Sequence, residues 1–539
     1  MISSIGNLPD STEDLKKIIA EREQYYQVFI KCLEEKVSFL QGKLFGRKSE
    51  KISSGKYLQT LLFDEVEVTV DESLADDDDD KIIVPAHKRK KPGRKPLPEN
   101  LPRVEKIHDL TEEEKMCACG AKMERIGQEV SEKLDIIPAK VMVIRHIRPK
   151  YACKKCEGVE SEESPVKIAP PPPQLIPKGI ATAGLIAYIV AAKFVDALPL
   201  FRQEKIFARL GVLISRATMA NWLIKVAEQC KPLLSLMQQG LLSGPLINID
   251  ETPVQVLDEP GRANTTKSYM WVFRGGPIGQ QVLIFQYHST RSGKVALEFL
   301  AEYEGYIQTD GYSGYDELAS QSGIIHVGCW THARRNFVDV LKAMGGGKKK
   351  KGNAPIALSY IGKLYQIERE AREKELSPDE IYQLRQKRSK PILGELKKWF
   401  IEKYPQTPPR GLLGKAISYC LNRWESLERY LEDGRLQIDN NLIENAIRPF
   451  ALGRKNWLFS GNPRGAEASA ALYSLIETAK MNGLDPYWYL RFLFEKIPLA
   501  KTQEDYKALL PHYIDKEELK SFKQSCDLTT ELASNSLVG

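Results

Sequence analysis

The sequence predicts a multidomain protein built around an α/β core. The chain has 539 residues, more than one hydrophobic core usually organises, so three or more structural units are expected. Hydrophobic residues make up 42% and charged residues 28%, which is ordinary for a soluble protein and excludes a wholly disordered chain. Near residue 244 the pattern changes from helical spacing to short apolar runs that indicate strands.

Charge and apolar runs restrict the partners and the location. The net charge of +7 permits a polyanionic partner such as DNA. The first residues lack the basic-then-apolar layout of a secretion signal, and the longest apolar run, Ile180 to Ala192, is too short to span a bilayer. We therefore expect a cytoplasmic protein with no membrane partner.

Residues 1–48 are predicted to form a coiled coil. Ile19, Tyr26, Leu33 and Leu40 lie seven residues apart, and the alternate heptad positions are apolar except for Glu23. This spacing favours a homodimer or higher oligomer over the alternative, a helix packed on its own protein. Residues 49–103 follow as a charged linker. Its basic run, HKRKKPGRKP, resembles arms that bind the minor groove of DNA, but it equally fits a solvated charge run.

Residues 104–165 are predicted to form a small zinc-binding module. Four of the nine cysteines form two close pairs here, Cys117 with Cys119 and Cys153 with Cys156. Without a secretion signal, this pattern favours a reduced compartment and one structural Zn²⁺ held by four thiolates, rather than free thiols. Alternating segments such as VMVIRHIRPKYAC predict short strands within the module.

Residues 166–240 are predicted to form a helix-turn-helix domain. One helix ends near Gly211, and Ser215 caps a second helix that carries Arg216, Thr218 and Asn221. These three residues are candidate DNA contacts. Helix pairs joined by a glycine turn are common, so simple helix packing remains an equal alternative.

Residues 241–345 predict the first part of a ribonuclease-H-like α/β core. The strand segments are PLINIDETPVQV, SYMWVFRGG, QVLIFQYHSTR, GYIQTDGY and GIIHVGCW. A helix from Lys294 to Tyr303 follows the third strand, and a further helix separates the last two, which is the element order of that core. Residues 346–432 predict an α-helical insertion, 433–480 the returning core helix, and 481–539 a C-terminal helical segment.

Three acidic residues are candidates for phosphoryl-transfer chemistry. Asp250 and Asp310 each end a predicted strand, and Glu444 lies on a helix that begins at Asp439 or Asn440. Carboxylates on adjacent strands would lie close enough that both ionise only if divalent cations neutralise their repulsion. A lone aspartate at a strand end is usually a turn residue, but Asp, Asp and Glu on strand, strand and helix together indicate a metal-dependent site.

The motifs resemble a known family over nearly the whole chain: the IS66 family of insertion-sequence DDE transposases, of the TnpC type. The similar segments are LFGRKSEK, KKPGRKPLPENLPR, RPKYACKKC, INIDETPVQV, QTDGYSGYDEL, GCWTHARRNF and DNNLIENAIRPFALGRKNWLFSG. The resemblance implies that Asp250, Asp310 and Glu444 are a catalytic triad that holds two Mg²⁺ ions, with Mn²⁺ as a substitute.

The resemblance also implies the function. A DNA transposase of this kind would bind terminal inverted repeats and target DNA and catalyse Mg²⁺-dependent cleavage and strand transfer, in the bacterial cytoplasm and on the nucleoid when DNA-bound. Similar elements carry small accessory proteins, so partners of that kind are expected. Two alternatives stay open: a catalytically inactive DNA-binding regulator derived from a transposase, and a ribonuclease-H-like nuclease without joining activity.

Further DNA contacts are predicted near the acids, namely His332, Arg334, Arg335, Arg448, Arg454 and Lys455. Cys329 and His332 match a Cys-x-x-His element that many DDE enzymes place after the second aspartate. Two ligands are too few for zinc, so we interpret this pair as structural or DNA-facing support. Trp457 is predicted to be a core residue rather than a base-stacking one.

Overall fold

The computed structural model describes residues 11–45, 141–152, 166–343 and 352–535. The chain divides into two units, Glu65–Ile147 and the remainder. Of the first of these only 141–147 is described, and it forms neither helix nor strand. The predicted zinc ligands, like the charged linker, lie outside the described residues; they are Cys117, Cys119, Cys153 and Cys156.

The first elements are one long helix and a small hairpin-like pair of strands. Helix α1 spans Thr12–Phe45. Strands β1 (Lys150–Ala152) and β2 (Val166–Ile168) pair antiparallel. Strand structure was expected across VMVIRHIRPKYAC, but it occurs only at β1. The preceding residues are exposed, so they have no packed surface on which a strand would gain stability.

Four helices lie between β2 and the five-stranded sheet, and the middle two occupy the segment predicted as a helix-turn-helix. They are α2 (Ala183–Phe194), α3 (Leu200–Arg209), α4 (Arg216–Gln229) and α5 (Lys231–Leu242). Gly211 makes the turn after α3 with a φ of +83°, a conformation that suits glycine. The Ser215 hydroxyl accepts a hydrogen bond from the Thr218 backbone N–H at 3.1 Å, which caps α4.

A five-stranded mixed sheet forms the centre of the fold. Its elements are β3 (Leu246–Gln255), β4 (Lys267–Gly275), β5 (Val282–His288), α6 (Lys294–Leu300), β6 (Gly305–Gln308) and β7 (Ile324–Val327). The strand order is β5-β4-β3-β6-β7. The first three strands pair antiparallel, whereas β3, β6 and β7 pair parallel. All five strands lie in the segments that the sequence predicted, except that β4 begins one residue earlier, at Lys267.

Two local expectations about the sheet are wrong. Strand β3 does not end at Asp250, because its antiparallel pairing with β4 continues to Gln255; only the parallel pairing with β6 stops before Asp250. No α-helix separates β6 from β7. Two short 3₁₀ turns, Ser313–Tyr315 and Leu318–Ser320, make this connection, because a segment with glycines at 311 and 314 is a poor α-helix former.

The helices that follow β7 build a second hydrophobic core. They are α7 (Trp330–Ala343), α8 (Asn353–Glu373), α9 (Pro378–Leu384), α10 (Lys390–Lys403), α11 (Leu412–Asn422) and α12 (Trp424–Glu428). Buried aromatic side chains on α7, α10 and α12 pack together, with the rings of Phe337 and Phe400 stacked 5.7 Å apart. The helical character predicted for this region is confirmed.

The last helices return to the sheet. They are α13 (Asn441–Trp457), α14 (Pro463–Met481), α15 (Pro486–Lys496), α16 (Gln503–Ala508) and α17 (Lys516–Asn535). Helix α14 covers the edge strand β5, where the Ser474 hydroxyl accepts from the Phe285 N–H and the Thr478 hydroxyl from the Leu283 N–H. Among the described residues, no helix has the length and apolar character needed to cross a membrane.

Candidate active site

The sheet brings Asp250 and Asp310 to the same part of the fold. Parallel pairing of β3 with β6 ends at Asn248 and Gln308, each two residues before its aspartate, and the Asp310 carboxyl is near enough to raise the pKa of Asp250. Neighbouring strands lie about 4.8 Å apart. Each aspartate also accepts a local backbone hydrogen bond, Asp250 from Glu251 at 2.8 Å and Asp310 from Tyr312 at 2.9 Å.

Helix α13 brings the third acid. Glu444 lies in its first turn, where the exposed backbone N–H groups favour negative charge. The Glu444 side chain is only 10% exposed, and its Oε1 atom has no hydrogen-bond partner among the described residues. The helix lies along β3, with the Arg454 guanidinium donating to the Thr252 hydroxyl at 3.3 Å. We call Asp250, Asp310 and Glu444 the acid cluster.

The acid cluster is short of positive charge. Burial, then Glu251, Asp310 and Glu444, raise the pKa of Asp250 well above its ordinary value. Burial also raises the pKa of Glu444 to about 7, although Arg335 favours the ionised form. Both shifts mean that the protein alone disfavours the ionised acids. A divalent cation among these oxygen atoms would remove that penalty, so the residues fit a hard-metal site.

The predicted Cys-x-x-His pair lies against the acid cluster. The ligand atoms of Cys329, His332 and Glu444 lie within 4.8 Å of one another, and His332 Nδ1 is 3.8 Å from Glu444 Oε1. Cys329 Sγ accepts the Asn440 backbone N–H at 3.3 Å, and burial raises the pKa of this thiol to about 12. Glu444, from a distant part of the chain, thus lies close enough to offer a third potential ligand beside the two in the Cys-x-x-His pair.

Glu251 was missed as a residue of this site. Its side chain is 1% exposed, pairs with Arg291 at 2.5 Å and accepts a hydrogen bond from the Tyr315 hydroxyl. The Arg291 guanidinium also lies 3.8 Å from the centre of the Tyr312 ring. These contacts tie the loop that follows Asp310 to β3. The only sequence signal was an acid next to Asp250 and two tyrosines after Asp310.

The predicted DNA contacts occupy two places. On α4, Arg216 and Asn221 are exposed, whereas Thr218 is half-buried and its backbone N–H takes part in the helix cap. Near the acids, Arg335 and Lys455 are exposed. The remaining predicted contacts are half-buried: His332, Arg334, Arg448 and Arg454.

Trp457 is a packing residue, as the sequence favoured. Its ring makes an edge contact with buried Phe450, with ring centres 5.4 Å apart. The Lys193 ammonium lies 5.2 Å from the centre of the Trp457 ring. The indole is thereby engaged by α2 and by its own helix rather than free to stack on a base.

Comparison with known families covers most of the chain. The model described as "Transposase IS66 family" matches residues 178–468, a range that contains all three acids. The chain belongs to the IS66 transposase family. Three further family descriptions match: "zinc-finger binding domain of transposase IS66" over 114–157, "IS66 C-terminal element" over 474–512, and "Transposase C of IS166 homeodomain" over 32–105.

Relatives of this IS66-family chain occur in Sinorhizobium fredii. The protein y4jD is 35% identical over 520 residues, covering 94% of this chain and 96% of the relative. The protein y4qI is 33% identical and covers 78% of each chain. Both carry the name "uncharacterized protein". The zinc-finger match supports a structural zinc in this IS66-family transposase.

Proposed function

We propose that this transposase is a DDE enzyme that cleaves and joins DNA at the terminal inverted repeats of an insertion sequence. The observation that carries the proposal is the acid cluster. Three carboxyl groups from β3, the end of β6 and α13 lie close enough that Asp310 and Glu444 both help to raise the pKa of Asp250, and the pKa of Glu444 is raised as well. Buried acids with strongly perturbed pKa values are typical of functional sites.

The sheet supports a ribonuclease-H-like core. Three antiparallel strands followed by two parallel ones, in the order β5-β4-β3-β6-β7, place the acids of β3 and β6 on neighbouring central strands. The helical insertion lies between the second and third acids and packs around a second core that it shares with Val327 of β7 and with α7. It therefore adds helices beside the sheet without interrupting the strand order.

The metal proposal concerns the oxygen atoms of the acid cluster. Asp250, Asp310 and Glu444 would hold two Mg²⁺ ions, with Mn²⁺ as a substitute, because carboxylate oxygens are the ligands these ions prefer. Bound metal supplies activation of water for cleavage, activation of the freed 3′-hydroxyl for joining, and charge neutralisation at the scissile phosphate. Glu251 keeps the loop of Asp310 in place through Tyr315, and no covalent intermediate on the protein is expected.

DNA and a second copy of the chain are the proposed partners. Arg216 and Asn221 on α4 face solvent, as residues that read the major groove must. Arg335 and Lys455 would hold the DNA backbone near the acids, and a zinc module with Cys117, Cys119, Cys153 and Cys156 as ligands would add a further DNA contact. Target DNA and small accessory proteins complete the expected partners, in the cytoplasm and on the nucleoid.

The N-terminal helix supports self-association. Its heptad residues are exposed, including Ile19 at 58%, Tyr26 at 55% and Leu40 at 55%. A different face contacts the rest of the protein, where the Ser38 hydroxyl donates to the Ala343 carbonyl at 2.7 Å. The face around Ser38 thus packs on the same protein, while the exposed apolar seam would be available to pair with a second copy.

The decisive experiment measures cleavage and strand transfer on DNA that carries the terminal repeats, taken from the sequence that flanks the gene. Glu444→Gln, Asp250→Asn and Asp310→Asn should each bind this DNA but lose both reactions by orders of magnitude, because several kcal/mol of transition-state stabilisation is removed. Combining two of these changes should add little, since the acids act as one unit.

Exposed acids provide the controls for this assay. Asp316 and Glu425 have side chains that are 62% and 84% exposed and form surface ion pairs, so Asp316→Asn and Glu425→Gln should leave both reactions unchanged. Joining by Glu444→Gln at the wild-type rate in Mg²⁺ would refute the assignment. Cleavage without joining by the wild-type protein would indicate a nuclease, and binding without either reaction a regulator.

A further inference from the structure

Three buried amide side chains connect the three elements that carry the acids. Asn248 lies on β3 two residues before its acid, Gln308 on β6 two residues before its acid, and Asn440 four residues before the acid of α13. Residues two apart on a strand, and four apart on a helix, share a face. Asn248 therefore shares a face of β3 with Asp250, while Gln308 is the last residue of β6 before Asp310 and Asn440 is the N-cap residue of the helix of Glu444. Asn248 and Gln308 are fully buried, and Asn440 is 1% exposed.

Direct hydrogen bonds join these amides. The Asn248 side-chain NH₂ donates to Gln308 Oε1 and to Asn440 Oδ1, each at 3.0 Å. The Gln308 NH₂ in turn donates to the Gln437 carbonyl at 2.7 Å, and the Asn440 NH₂ to the Ile249 carbonyl at 3.1 Å. We call Asn248, Gln308 and Asn440 the amide cluster. It spans β3, β6 and the start of α13.

The surrounding groups fix the orientation of every amide. Backbone carbonyls can only accept, so the NH₂ groups of Gln308 and Asn440 must face them and their oxygens must face Asn248. Asn248 must then present its NH₂ to both, and its oxygen accepts from the Arg274 guanidinium at 3.2 Å. No other neutral side chain of this size offers two donors and an acceptor at that point.

The Asn440 side chain joins the amide cluster instead of capping its own helix. It occupies the N-cap position of α13, where asparagine normally accepts a backbone N–H of the first turn. Its side chain makes no such bond here and is directed at β3 instead. The cap interaction is made by the neighbouring Asp439, whose carboxylate accepts the Asn441 N–H at 3.2 Å.

From these contacts we propose that the amide cluster is a positioning device that sets the separation of the three acids, with Asn248 at its centre. The inference rests on the proposed function and deepens it. Mg²⁺ demands near-ideal octahedral geometry, so the acids must be held at fixed distances before the ion binds. Removing an amide lets β6 or α13 move relative to β3. We therefore expect the protein to need a higher metal ion concentration for activity while keeping its fold.

The test uses Gln308→Met, which keeps the length and neutrality of the side chain but removes its hydrogen bonds. We expect DNA binding to persist, while the Mg²⁺ concentration for half-maximal strand transfer rises roughly 10- to 100-fold, the usual loss when groups that orient metal ligands are changed. The defect should be smaller in Mn²⁺. In a readout that needs no activity, the rise in melting temperature that Mn²⁺ gives the protein–DNA complex should shrink.

Thr478→Val is the matched control. Thr478 is also fully buried, and its hydroxyl makes two hydrogen bonds with Leu283, at 3.0 and 3.1 Å, that join α14 to β5. Neither element carries a residue of the acid cluster. This variant should lower the melting temperature as Gln308→Met does, but leave the half-maximal Mg²⁺ concentration and the Mn²⁺-induced shift unchanged.

The outcomes separate this proposal from the proposed function. Suppose that Glu444→Gln is inactive, but that Gln308→Met needs the same half-maximal Mg²⁺ concentration as the wild type and Thr478→Val. The positioning role is then overturned, and the catalytic assignment stands. If the wild type neither reacts nor gains stability from Mn²⁺, both proposals are overturned. Should Gln308→Met not fold, Asn440→Ala carries the same test from α13 with the same expected results.

Discussion

The acid cluster and a buried arginine in the helical insertion show two ways of burying charge. Arg385 begins a π-helical turn between α9 and α10, and its side chain is 2% exposed. Two of its N–H groups donate to the Glu368 carboxylate at 2.7 and 2.9 Å. The other three donate to the carbonyls of Tyr430, Asp433 and Leu436 at 2.7, 2.8 and 2.9 Å. All five donors of this guanidinium are used.

The difference between the two regions indicates their roles. The arginine is fully satisfied by the protein, and its partners include the chain segment that leads towards α13, so it stabilises structure. The acid cluster is not compensated in this way: burial raises the pKa of Glu444 to about 7 although Arg335 and Arg448 favour its ionised form, and Glu444 Oε1 has no hydrogen-bond partner among the described residues. Buried charge that the protein leaves uncompensated is better suited to a bound cation than to stability.

The largest effect that would sharpen this comparison is expected at Arg385. Replacing it in Arg385→Met leaves Glu368 and three carbonyls buried without a donor, so the free energy of unfolding should fall by about 3–5 kcal/mol. Adding Glu368→Leu should restore much of that loss, because the unpaired charge is removed. Urea denaturation measures both changes.

Arg388 provides the control on the same stretch of helix. It pairs with Glu370 at 2.5 Å, but the two side chains are 42% and 30% exposed. Arg388→Met should therefore cost less than about 1 kcal/mol. Equal losses of unfolding free energy in Arg385→Met and Arg388→Met would show that the buried arginine contributes no more to stability than the exposed one.

A smaller effect is expected from pH on the metal-free protein. The folded-state pKa of Glu444, about 7, lies above its ordinary value of 4.5, so its contribution to stability is present below pH 4.5 and is lost as pH rises through 7. The loss amounts to at most about 3 kcal/mol. The unfolding free energy of the wild type minus that of Glu444→Gln should thus fall between pH 5 and pH 8 in EDTA.

Divalent cations should reverse this trend. Bound Mg²⁺ would compensate the charge of the ionised acids, so the wild-type protein should keep its stability at pH 8. Glu444→Gln should gain less stability from Mg²⁺ than the wild type does. A constant difference between wild type and variant across this pH range, with or without Mg²⁺, would mean that Glu444 is not held in an environment unfavourable to its charge.

Much of the fold was predictable because it depends on local patterns. The five strands follow from runs such as LINI and VLIF, and the turn between α3 and α4 follows from Gly211 and Ser215. The strand end expected at Asp250 was wrong because pairing with β4, a contact between distant segments, carries β3 on to Gln255. The helix expected between β6 and β7 was wrong because the loop of Asp310 is ordered by Glu251 and Tyr315 instead.

The supporting residues of the site were the least predictable. Asp250, Asp310 and Glu444 carry a motif, but the role of Asn248 depends on contacts with residues 60 and 192 positions away. Arg385 lies in a segment rich in charge, RQKRSK, where a buried arginine has the same sequence signature as an exposed one. Such roles emerge only when the hydrogen-bond partners are known.

Calorimetric titration of the protein–DNA complex with Mn²⁺ at pH 7, in two buffers of different ionisation enthalpy, tests the central claim most directly. The raised pKa values of Asp250 and Glu444 predict that Mn²⁺ binding releases protons from the acid cluster, and that Glu444→Gln binds Mn²⁺ at least about tenfold more weakly with fewer protons released. Binding by Glu444→Gln that equals the wild type in affinity and proton release would contradict the assignment of the acid cluster as the metal site.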